Sequence, residues 1–91
     1  MTVTQVSQLD AARRHVTATG GLWNAMRCEL AAHGVWSQAV SEEGAGSPVV
    51  ERYRQIYEDC RRVTSTWASE QTAASEALSA LMLAVQQEAR R

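Results

Sequence analysis

Ninety-one residues carry nine basic side chains, all arginine, against ten acidic ones, for a net charge of -1. A chain this small is one domain at most and hides only about 60 to 65% of its unfolded surface, so its core is marginal unless dimerisation or a larger assembly adds to it. Near-zero charge does not indicate free attraction to nucleic acid or an anionic membrane, and no stretch approaches the ~18 apolar residues of a membrane span.

Residues 1 to 6 read as a polar lead. The opening MTVTQVSQLDAARR lacks the basic start and apolar run of a secretory signal, so the expected location is the cytoplasm, that of a host cell if the chain is phage-encoded. Ser7 with Asp10 three residues on resembles a capping box, which predicts a first helix from about 8 to 40. Its apolar seam is Leu9, Ala12, Val16, Thr19, Trp23, Met26, Leu30 and His33, at alternating spacings of three and four. Gly20 and Gly21 interrupt it, and a glycine pair inside a helix costs roughly 2 kcal/mol against alanines. The seam phase survives across the pair, which favours a continuous or kinked helix over a split one.

The segment SEEGAG and Ser47 form a turn over 41–47, small, polar and closed by the only proline, Pro48. Ser47 can cap a second helix with Pro48 at its first position and Glu51 at capping-box distance. That helix is expected over about 48 to 89. Tyr53, Tyr57, Cys60, Trp67, Ala74, Leu78, Leu81 and Val85 recur along it at heptad spacing, with Thr64 and Gln71 on the missing steps. A rod of about 63 Å results, too long for a compact globule of this size. The fold expected is all-α: an antiparallel hairpin with a long second helix, oligomerising.

Folding about residue 44 brings Trp67 opposite Gly21, a size match for a tight crossing. Cys28 and Cys60 fall at one level, but Cys28 lies far in phase from Trp23 and Leu30 and should point outward, so two free thiols are expected. Ala25, Cys28, Ala32 and Val35 then form a second apolar stripe on the first helix, while Ile56, Val63, Ala77 and Ala84 flank the seam of the second. A hairpin cannot bury both faces of each helix, which calls for further copies or a different protein. Trp36, beside the glycine-containing turn, is the candidate exposed anchor, and Cys28, Val35, Ile56 and Val63 on the outward stripes are further candidate partner contacts.

No catalytic constellation stands out. His15 and His33 have no ligand spacing, the two cysteines are too few and too separated for a zinc site, and neighbouring carboxylates such as Glu58 and Asp59 diverge by about 100° on a helix. No enzyme, metal or cofactor is expected. Arg61 and Arg62, with the doublets at 13–14 and 90–91, are candidate phosphate contacts in a ring assembly or else solubilising charge.

The run LWNAMRCELAAHG, a polar glycine-containing stretch and SPVVERYRQIYEDCRRVTSTW together resemble small terminase subunits of tailed phages, with Trp23, Gly34, Pro48, Arg62 and Trp67 in the corresponding places. That resemblance implies a ring-forming adaptor that binds phage DNA and a large motor subunit. Length and the position of Trp36 near the turn also resemble the helical hairpins exported by type VII secretion systems, which implies pairing with a similar hairpin. A third expectation needs no family: a small phage-encoded inhibitor that occludes a host complex. All three are binding functions, with a protein partner or a second copy expected, nucleic acid as a candidate and no membrane.

Overall fold

A computed structural model describes residues 1–91 as two helices and a short turn, α1 (Val3–Glu43) and α2 (Pro48–Ala89), with no strand. They pack antiparallel as a hairpin measuring 67 × 19 × 13 Å. Its radius of gyration, 20.0 Å, far exceeds the roughly 12 Å of a compact chain of this length. The hairpin is one layer thick and has no second layer to close a core.

α1 starts five residues earlier than expected. Thr2 accepts a hydrogen bond from the Gln5 amide at 3.1 Å and its own amide donates to Gln5 Oε1 at 2.8 Å. The Thr-x-x-Gln box at 2–5 thus takes the role expected of Ser7 and Asp10. Glutamine is long enough to reach back to the cap amide, and Asp10 is a methylene shorter. The helix runs unbroken through Gly20 and Gly21. It passes Gly34 and ends at Glu43, where Gly44 takes φ 83° and donates its N–H to Val40 O at 3.0 Å. A positive φ at that place is what glycine supplies at no steric cost.

α2 opens as expected. Ser47 Oγ accepts from the Val49 amide at 3.2 Å and Pro48 follows as the first helical residue. Glu51 stands four residues past Ser47, one more than a capping box spans, and completes none; its carboxylate accepts from Nε–H and Nη2–H of Arg54 at 3.0 and 2.6 Å.

The face α1 turns to α2 corrects the expected seam by one residue, about 100° of rotation. Leu9, Val16, Trp23, Met26 and Leu30 all lie exposed. The buried or half-buried line is Ala11, His15, Ala18, Leu22, Ala25, Glu29, Ala32, Trp36 and Ala39. On α2 the half-buried line is Tyr53, Tyr57, Cys60, Thr64, Trp67, Gln71, Leu78, Leu81 and Val85, with Val50 and Ala74 fully buried. The physical reason is volume. α2 brings bulky side chains to the contact, and the face of α1 that fits them is the one with alanine at every seventh position from 11 to 39. Large residues on both helices would hold the axes apart; alanine lets them approach at the short end of the usual 8–10 Å range.

Gly21 marks a close approach of the helices. A Cβ built there would fall 2.6 Å from Cζ3 of Trp67 and nearer still to its other ring carbons. Gly20 has nothing within 4 Å and owes nothing to this crossing. Only five residues are buried, all alanine or valine, and no large side chain is fully enclosed. Burial worth about 25 cal/mol per Å² is therefore thinly spread along the rod.

Candidate interaction surfaces

Exposed apolar side chains divide between two faces of the hairpin. Phase and salt bridges assign them. Arg14 and Glu70 each stand one residue before a seam position and reach across the helices, Nε to Oε1 at 2.7 Å and Nη2 to Oε2 at 3.2 Å. Residues one before the seam on either helix therefore share a face. Arg61, one after the seam position Cys60, sits over the Tyr57 ring at 5.9 Å and 3.9 Å from Glu29, so residues one after the seam share the other.

The first face holds Cys28, Val35, Ile56 and Val63, four of the five partner-contact candidates, all exposed. Its centre is a shallow groove of about 460 Å³ lined by Gly21, Asn24, Ala25, Cys28, Asp59, Cys60, Val63 and Trp67. Cys28 is exposed, Cys60 half-buried, and the two remain separate thiols. Ala25 and Ala32, placed on this outer stripe by the sequence reading, are instead buried and half-buried in the seam.

Trp36, the fifth candidate, is corrected. It occupies a seam position, half-buried, and stacks on Tyr57 with centroids 5.4 Å apart and planes 23° from parallel. His33 meets both rings edge-on, at 5.9 Å to Trp36 and 5.2 Å to Tyr57. The indole N–H of Trp36 is enclosed without an acceptor. Rotating α1 by one residue carried this tryptophan inward, and the same rotation carried Trp23 out.

The second face carries the displaced stripe: Leu9, Val16, Trp23, Met26 and Leu30, between 38% and 74% exposed. Between its central members lies a groove of about 420 Å³ lined by Trp23, Met26, Arg27, Glu29, Leu30, His33 and Tyr57. Trp23, the one exposed tryptophan of the three, forms part of its wall. Beside the groove the α2 side of this face is polar, with Glu58 and Arg61 3.9 Å apart; further along it Met82, one after Leu81, is exposed.

Of the arginines considered for phosphate, Arg14, Arg61 and Arg62 face carboxylates. Arg62 pairs with Asp59 on the next turn of the helix, and Arg61 lies between Glu29 and Glu58. Hydrogen bonding to Arg14 holds the Glu70 carboxyl below its ordinary range, and Arg54, then Gln55, does the same for Glu51. No group of three or more His, Cys, Asp or Glu is placed to hold a metal ion, and no helix is long and apolar enough to cross a membrane.

The alanine heptad was the signal that sequence reading passed over. Regular small residues mark a close helix contact as surely as large ones mark a wide one. The chain matches no protein-family model, no curated protein and no solved structure.

Proposed function

We propose that this chain is a non-enzymatic helical interaction subunit whose work is to present apolar helix faces to protein. The observation that carries the reading is the exposed line of Leu9, Val16, Trp23, Met26 and Leu30. Large side chains at heptad spacing are the means by which one helix packs along another, and a soluble monomer leaves such a line uncovered at a cost in solubility. The accessible surface points the same way. At 6692 Å² it exceeds by roughly 1,450 Å² the area of a typical folded monomer of 10.0 kDa.

Protein contact is favoured over a DNA-packaging adaptor because Arg61 and Arg62 already face carboxylates and the net charge is -1. A phosphate would have to displace those partners. The test is capture from the native host with a tagged chain, comparing wild type with a Val16→Glu, Ile56→Glu double variant that charges both faces. The reading expects the wild type to retain a protein, or itself, that the double variant releases. Identical company and identical mass for both would contradict it. Retention of duplex DNA that weakens steeply as salt rises would move the reading to the adaptor.

A further inference from the structure

The uncovered stripe of α1 has the geometry of a coiled-coil seam with its partner removed. In such seams a side chain from one helix drops into a hole formed by four residues of the other, at i, i+3, i+4 and i+7. Of the seven residues lining the groove on the second face, Trp23, Met26, Arg27 and Leu30 are those four steps, and Glu29, His33 and Tyr57 close it on the side of α2. We infer that the occupant is Val16 of a second copy of this chain, the two α1 helices crossing antiparallel about a two-fold axis near Gly21. This rests on the interaction reading above and names the partner.

Three observations select a second copy. First, the stripe is self-complementary in one register. Antiparallel pairing that sets Val16 against Met26 of the second copy also sets Thr19 against Trp23, Ala12 against Leu30 and Leu9 against His33. Every stripe residue then has a partner. In the three central layers a large side chain meets a smaller one, the match a packed interface needs. Second, the two contact lines on α1 are one residue, about 100°, apart. A helix in a four-helix bundle faces two neighbours at nearly that angle. Third, the area fits. A stable dimer buries about 800 Å² per partner, and each hairpin carries roughly 1,450 Å² more surface than a typical monomer of its mass.

The α2 helices do not obstruct this arrangement. At the level of Gly21 the groove side of α2 presents Ser65, Ala68 and Thr72, small residues around a shallow surface depression. Val16 is 70% exposed and takes no part in the fold of the hairpin, so it can be changed without unfolding the chain.

The test uses light scattering together with directed disulfide formation. Wild type is expected at twice 10.0 kDa. Val16→Glu should weaken association at least about tenfold with helicity unchanged, because it puts a carboxylate into an apolar hole. Val35→Glu, on the opposite face, should leave it within about twofold. In a C28S, C60S background, V16C with M26C should cross-link into a covalent dimer on oxidation. V16C alone should not, since an antiparallel pair keeps the two copies of residue 16 about 15 Å apart along the axis. A wild-type mass of 10.0 kDa, or cross-linking of V16C to itself, would overturn the proposal. A 10.0 kDa chain that captures a different helical protein through Val16 would also overturn it, while leaving the interaction reading in place.

Discussion

The indole of Trp67 lies against the backbone of Gly21, so close that no side chain fits between them. The next glycine along, Gly20, has open space around it. Two adjacent glycines in one helix are thus opposites. Gly21→Ala gains about 1 kcal/mol of helix propensity but loses about 1 to 3 kcal/mol to overpacking, so the net change should be destabilising. Gly20→Ala should stabilise by about 0.5 to 1 kcal/mol. In a chain of this size 1 kcal/mol moves Tm by about 4 to 8 °C. Circular-dichroism melts should show the two alanines shifting Tm in opposite directions, and Trp67→Leu should restore tolerance to Gly21→Ala.

Trp36 is held by its stack on Tyr57, yet its N–H lacks an acceptor. An enclosed unpaired donor costs about 1 to 3 kcal/mol. Trp36→Phe gives up some contact area but removes that cost, and stability should stay within about 1 kcal/mol of wild type. Trp36→Ala removes the stack as well and should cost about 3 kcal/mol. Denaturant unfolding monitored by helicity separates the two; equal losses for Phe and Ala would contradict this account of the ring.

Glu70 and Glu51 are held below the ordinary carboxylate range by Arg14 and Arg54. A depressed folded-state value means the unfolded chain binds protons first as pH falls. The stabilisation is therefore present above about pH 4.3, the unfolded glutamate value, and is lost as pH drops through the lower folded values. Glu70→Gln and Glu51→Gln should each flatten the fall of Tm between about pH 5 and 3. The effect should shrink with added salt, as befits exposed pairs.

Cys28 is exposed and Cys60 half-buried, on the face opposite the Trp23 groove. Thiol titration should find two free groups without reductant. Cys28 should react faster than Cys60, and its rate should not change when chains associate through the opposite face. Protection of Cys28 on association would place the contact on the wrong side.

Much of this architecture is legible in the residues. Ser47 and Pro48 mark the start of α2, the heptad from Tyr53 to Val85 marks its inward line, and folding at residue 44 sets Trp67 opposite Gly21. What misled was the choice of face on α1. Leu9, Val16, Trp23 and Leu30 are the most hydrophobic heptad in that helix, and burial energy alone selects them. The contact with α2 is decided by fit instead. Bulky residues on one helix require small ones on the other, and Ala11, Ala18, Ala25, Ala32 and Ala39 supply them. Trp36 was misplaced by the same rotation. The candidate site is that same line, strong enough to pack a helix and left bare when the hairpin closes.

Equilibrium unfolding in denaturant, repeated over a hundredfold range of chain concentration, tests most directly whether that bare line needs a cover. Association through it predicts a midpoint that rises with concentration, as any ligand of the native state would make it do, and a Val16→Glu variant whose midpoint does not. A wild-type midpoint that stays constant across the range, with a single cooperative transition at the mass of one chain, would contradict the account.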